Sequence, residues 1–110
     1  MKGNTLNICA ISGRLVRNAV LRGSERKVLL FTVATQLGND DNGQKERLSH
    51  VPCVVFGPSE ELQRSLVDNG QGTHIELEGR IITSNYESNG ERKFTTEVVA
   101  FNRSITLLKN

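Results

Sequence analysis

Apolar and polar residues alternate along most of this chain, and a period of two marks a half-buried β-strand. Leu6–Val16 alternates in this way, with Asn7, Ser12 and Arg14 between apolar positions. Gly13 inside the run marks a bulge or a sharp coil. Lys27–Thr35, KVLLFTVAT, is the strongest strand. It lies between Gly23-Ser24 and Gly38-Asn39-Asp40-Asp41-Asn42-Gly43, both of them turn or loop chemistry. Leu48–Phe56 is a third strand, and Pro52, which has no N–H, belongs at an edge or bulge within it. Then the period changes. Pro58 and the acidic pair Glu60-Glu61 are helix-start signals, Leu62 and Leu66 share a face, and Asn69-Gly70 stops the segment. A helix of about ten residues is too short to stand alone, so it must plug something larger. Thr73–Tyr86 is strand again, with Ile75, Leu77, Gly79 and Ile81 on one face and His74, Glu76, Glu78, Arg80, Ile82, Ser84 and Tyr86 on the other. Ser88-Asn89-Gly90 is a hairpin turn. Arg92–Phe101 is the fifth strand, extended after a bend by Ile105–Leu108.

Three strands, one helix and two strands is the element order of the OB-fold, an all-β, five-stranded Greek-key barrel with one short helix between strands 3 and 4. Val, Ile and Thr number 24 of 110 residues, in keeping with that class. No internal repeat, linker or low-complexity tract interrupts the chain, so residues 1–110 are expected to form a single OB-fold domain. The alternation assigns Phe31, Phe94 and Phe101 to the core. Within Leu48–Phe56 it places Phe56 with Leu48, His50, Pro52 and Val54, and places Val51, Cys53 and Val55 on the opposite face.

Charge changes this picture by its distribution. The net charge is +2, yet residues 1–36 carry six basic groups against Glu25 alone, while residues 37–110 carry eight basic against eleven acidic. A basic first third suits a polyanion, and Arg outnumbers Lys nine to five. No uncharged stretch exceeds 12 residues, so no membrane-spanning helix is expected, and no signal-peptide pattern opens the chain. A cytoplasmic location follows as the expectation.

The residues of enzyme chemistry are sparse. Cys9 and Cys53 lack a CxxC partner, and His50 and His74 are the only histidines. Neither a metal site nor a cofactor is expected. The two histidines have no acid or nucleophile at a motif spacing, and no Gly-rich phosphate loop ends in Lys-Ser/Thr. Asp40-Asp41-Asn42-Gly43 lacks the alternating ligands and closing Glu of a calcium loop and reads as a solvated hairpin tip. The chain is not expected to be an enzyme.

Ile11-Ser12-Gly13-Arg14-Leu15-Val16-Arg17-Asn18-Ala19-Val20-Leu21-Arg22, the strand Val28–Thr35 and Val54-Val55-Phe56-Gly57 are followed by Glu78-Gly79-Arg80 and Phe94-Thr95-Thr96-Glu97-Val98-Val99. Together these resemble the bacterial single-stranded DNA-binding proteins over roughly residues 5–108. The resemblance implies largely sequence-independent binding of single-stranded DNA in replication, recombination and repair. It implies that Phe56 stacks on a base, and that Tyr86 and His50 stand where the family usually has stacking Trp. The basic candidates are Arg14, Arg17, Arg22 and Lys27 from the first two strands and Arg80, Arg92 and Lys93 from the last two. A homo-oligomer is implied, a tetramer or a dimer, and the sparsely charged Leu6–Ile11 is the candidate edge for pairing.

Departures from the family pattern lower the expected affinity. Five aromatics and no Trp are present. The family's aromatic after the second strand is replaced near Gly38–Asn39, and Pro52, Pro58 and Asn85 stand where basic residues are common. Ile82 and Ser84 leave the fourth strand less basic. The sequence ends at Leu107-Leu108-Lys109-Asn110, before the flexible tail and acidic tip usual in the family; it reads either as a trimmed core domain or as a short member, so the resemblance leaves tail-mediated partner recruitment open. The alternatives are an interaction module like primosomal replication protein N, assisting helicase loading, and an RNA-directed role.

Overall fold

The computed structural model describes residues 4–39, 43 and 46–108. Among them run β1 (Cys9–Leu15), β2 (Val20–Arg22), β3 (Val28–Asn39), β4 (Glu46–Phe56), helix α1 (Glu60–Val67), β5 (His74–Ser88), β6 (Glu91–Ala100) and β7 (Thr106–Leu108), with a 3-10 turn at Asn102–Ser104 before β7. The sheet order is β1-β3-β4-β6-β5-β7, and β1 also pairs with β5, which closes the barrel. Only β4 and β6 run parallel; the other pairings are antiparallel. This is the OB-fold. The five strands and one helix read from the alternation correspond to real elements, with ends shifted by a few residues.

β1 crosses from one neighbour to the other at Gly13. Cys9–Arg14 pair with β5, and Arg14 and Leu15 pair with β3. A Cβ at Gly13 would run into the Ala34 carbonyl oxygen, so the crossing needs a residue without a side chain. β1 starts later than the alternation implies because residues 4–8 leave the ladder. There the Asn7 side chain takes over the pairing: its Nδ2 donates to the Ile81 carbonyl at 2.7 Å and its Oδ1 accepts from the Ile81 N–H at 2.9 Å. β2 was not expected from so short a run. It lies beside β3, with Leu21 packed toward the core.

β3 and β4 form the longest uninterrupted part of the barrel wall, from Val28↔Phe56 to Gln36↔Leu48, with a bulge between Gln36 and Gly38. Their ladder runs on to Asn39↔Glu46, beyond the loop boundary implied by the Gly38–Gly43 composition. Asp40, Asp41 and Asn42, the expected hairpin tip, lie outside the described residues. Pro52 sits opposite Thr32, where β4 has no partner on its far side, since β6 pairs only with Cys53 and Val54.

The helix is a plug. Ser59 caps it by accepting from the Leu62 N–H at 3.1 Å. Leu62 and Leu66 enter the core beside Leu29, Val55 and Ile75, and the Leu66 carbonyl accepts from the Ala19 N–H at 2.8 Å. At the other end of the molecule β5 and β6 continue past the barrel as a two-stranded arm. They are joined by Asn89-Gly90, both with positive φ, the geometry a two-residue hairpin demands. The inward alternation therefore ends early. Ile81, expected with Ile75, Leu77 and Gly79 on the core face, is 46% exposed, because the ring of strands no longer surrounds it. For the same reason Phe94, on the arm, is 63% exposed rather than core. Phe101, also assigned to the core, is 44% exposed, since Val98 and Ala100 take the inward positions and leave it on the other face. Phe31 is buried as expected.

Both cysteines are free, Cys53 buried and Cys9 half-buried. Burial pushes the Cys53 thiol up from 9.0 to about 12, with Cys9 and Glu97 adding to the effect.

Leu66→Ala should cost about 2–5 kcal/mol in urea unfolding because it empties the plug, and Ser59→Ala about 1 kcal/mol through the lost cap. A second expectation concerns alkali. The unfolded thiol ionises before the folded one, so stability should fall as pH rises from 9.0 to about 12. Unfolding free energies followed by circular dichroism should show a shallower decline in Cys53→Ala over that window.

Candidate nucleic-acid interface

The β3–β4 register sorts the candidate residues. Leu29, Phe31 and Val33 face the core with Val55, Cys53 and Val51 opposite them. Their neighbours point away from that core, in cross-strand rows, though Val54 among them is covered and only 4% exposed. Arg22 pairs with Val28, and Val28 with Phe56. One row along, Val20, Leu30, Val54, Val99 and Arg80 follow one another across β2, β3, β4, β6 and β5. Further along, Arg14 pairs with Ala34 and Ala34 with His50. Arg22, Phe56, Arg80, His50 and Arg14 thus all point outward from the barrel wall although they are scattered over 67 positions of sequence. Phe56 is 58% exposed, far more than a packed Phe would be, and His50 is exposed as well.

The arm continues this side. Arg80↔Val99, Ile82↔Glu97, Ser84↔Thr95 and Tyr86↔Lys93 alternate with the pairs of the opposite face. Tyr86 is 48% exposed at the far end, with Lys93 directly across from it. A hydrogen bond between the hydroxyls of Thr83 and Thr96, 3.0 Å apart, ties the two strands midway.

Three candidates stand apart from the rows. Arg17 is exposed in the turn between β1 and β2. Lys27 precedes β3, where its carbonyl accepts from the Gly57 N–H at 2.9 Å and so holds the chain just after Phe56. Arg92 pairs with Glu87 on the other face of the arm, which it shares with Phe94. Arg14 is partly committed to structure, since its Nη1 donates to the Gly72 carbonyl at 3.0 Å. The sequence reading missed two residues at this site. Phe101 was assigned to the core, and only its shared parity with Val99 could have separated it from Val98 and Ala100. Asn102 carried no signal at all; its Nδ2 donates to the Phe56 carbonyl at 2.8 Å.

Chemically this side offers apolar and aromatic surface beside Arg22, Arg80, Arg14 and Lys93, with Glu76, Glu78 and Glu97 on the same side of β5 and β6. Among the described residues the ion pair present is Arg64–Glu60 on α1, at 4.0 Å, and none of the candidate basic residues takes part in one. Also among the described residues, no three His, Cys, Asp or Glu side chains gather as a metal-binding group, and no helix is long and apolar enough to cross a membrane. Exposed rings interleaved with Arg and Lys are what a strand of unstacked bases on a phosphate backbone requires.

Comparison with known proteins addresses the family and the fold. A model of the single-strand binding protein family matches residues 6–106. Single-stranded DNA-binding protein 1 of Streptococcus pyogenes serotype M18 is 35% identical over 99 residues, covering 86% of this chain and 74% of the relative. Single-stranded DNA-binding protein 2 of Listeria monocytogenes serovar 1/2a is 35% identical over 100 residues, covering 86% of this chain and 60% of the relative. Among solved structures, one described as Plasmodium falciparum SSB complex with ssDNA superposes with a TM-score of 0.80, covering 99% of this chain at 20% identity. That likeness establishes the fold.

Proposed function

The chain belongs to the single-strand binding protein family, and on that premise we propose that its 110 residues act as one non-catalytic domain that binds and protects single-stranded DNA. Binding is largely independent of sequence, and it serves replication, recombination and repair on the nucleoid in the cytoplasm. The observation that carries this reading is the outward side of the barrel wall, on which Phe56 lies in a row with Arg22, while His50, Arg80, Tyr86 and Lys93 extend the same side. Phe56, Tyr86 and, more weakly, His50 stack on bases. Arg14, Arg17, Arg22, Lys27, Arg80 and Lys93 neutralise phosphates around them, and Arg92 meets the phosphate backbone from the other face of the arm.

The domain works as a homo-oligomer, a tetramer or a dimer, built on the edge of β1. Between Cys9 and Gly13 that strand is paired with β5 on one side and, among the described residues, has no ladder partner on the other. Leu6 and Ile8 just before it are 83% and 59% exposed. An open strand edge next to exposed apolar side chains favours pairing with a second copy.

Fluorescence polarisation with a labelled oligo-dT and duplex competitor tests the binding mode. Single strand should be strongly preferred, affinity should fall steeply with salt, and Phe56→Ala should cost about 1–3 kcal/mol. Equal affinity for both nucleic acids, none for either, or no salt dependence would overturn it, and preference for oligo-rU would redirect it to RNA. Light scattering after size exclusion tests the assembly. A mass above one chain that drops in Ile8→Asp is expected, and a stable monomer for the unaltered chain removes the proposal.

A further inference from the structure

We propose that Phe101 is a second base-stacking ring, set beside Phe56 to make one aromatic platform. The inference rests on the single-strand binding reading above and adds a contact residue to the same site. The parallel register of β4 and β6 runs Cys53↔Val98 and Val54↔Val99. The ladder ends there; continued two residues along the same register it sets Phe56 across from Phe101, and the Asn102 hydrogen bond to the Phe56 carbonyl at 2.8 Å keeps the two segments adjacent. The alternation agrees, because Val98 and Ala100 are buried in the core and Phe101 therefore shares the side of Val99. Adjacent strands lie about 4.8 Å apart, close enough for neighbouring rings to form one continuous surface.

Both backbones are held at this point. The Phe101 N–H donates to the Glu78 carbonyl at 2.9 Å, and the Asn102 side chain bridges to the Phe56 carbonyl. Neither ring is covered: Phe56 is 58% and Phe101 44% exposed. Two large exposed apolar side chains on adjacent segments, with Arg22 at one end of the row, suit an occupant that is flat, apolar on its faces and attached to negative charge. A base of single-stranded DNA meets each condition. The charges at the two ends of the row orient it. Arg22 lies beyond Phe56, while Glu78 lies beyond Phe101 and faces outward. Phosphates are drawn to the Arg22 end and repelled from the Glu78 end, which leaves bases over the rings. The chain has no Trp and one Tyr, so a ring at this position adds appreciably to its few stacking groups.

The test compares Phe101→Ala and Phe56→Ala in polarisation titrations with labelled oligo-dT, with urea midpoints to show that each variant is folded. Each should weaken binding roughly 5- to 150-fold, the ratio equivalent to about 1–3 kcal/mol per stacked base. Phe101→Trp then supplies the sole Trp of the chain. Its fluorescence should be quenched on titration with oligo-dT, which a merely structural ring would not show. A loss in Phe56→Ala with none in Phe101→Ala overturns this inference and leaves the binding reading intact; a loss in neither overturns both. An unquenched Trp at saturation overturns the inference, as does a changed oligomer mass in Phe101→Ala, which would assign the ring to a contact between copies.

Discussion

Everything on the candidate face depends on the antiparallel register between β3 and β4. It holds without a break from Val28↔Phe56 to Gln36↔Leu48. Because side chains alternate strictly, a slip of one residue would send Phe56 and His50 inward and turn Val55, Cys53 and Val51 out to water. The register is secured from the inside. Leu29, Val33 and Val55 are fully buried, and the hydrophobic term for each such side chain is about 1.5–3 kcal/mol. The exposure of Phe56 is thus the consequence of its neighbours' burial, and the core sets the geometry of the surface.

The arm obeys a different constraint. Once β5 and β6 leave the ring of strands, no third strand covers either of their faces. The alternation that buries Ile75 and Leu77 then has nothing to bury Ile81 or Phe94 against. What keeps the arm straight is its own ladder, the Thr83–Thr96 hydrogen bond and the Asn89-Gly90 turn, whose positive φ values match the twist of a two-residue hairpin. Tyr86 and Lys93 therefore project beyond the barrel on the same side as Arg80. The far side of the arm carries Arg92 and Phe94, so cations placed next to each other in sequence reach different surfaces.

Much of this was legible from residue order. The alternation in Val28–Thr35 and Leu48–Phe56 located both strands and the outward set of Phe56, His50 and Pro52. Pro58, Glu60 and Glu61 marked the helix start, and Ser88-Asn89-Gly90 the hairpin. Where the reading failed, the cause was one of two kinds. Val20–Arg22 was missed because three residues carry no periodicity, and its strand exists only because β3 offers an edge. Ile81, Phe94 and Phe101 were misplaced because a period of two says that a side chain has a face but not whether anything lies against it. For Phe101 the pattern was right and the choice of side wrong.

The sequence by itself determined the succession of elements, the pairing of faces within each strand, the basic bias of the first third and the family that those residues belong to. These are local properties, set by side-chain period, turn chemistry and composition. Only the tertiary structure decided which residues from different strands meet. Arg22 joins Phe56 through Val28, Arg14 joins His50 through Ala34, and Asn102 reaches the Phe56 carbonyl across 46 residues of sequence. Cross-strand neighbours are fixed by register and by closure of the barrel. Both arise from burying the whole core at once, and no single segment contains that information.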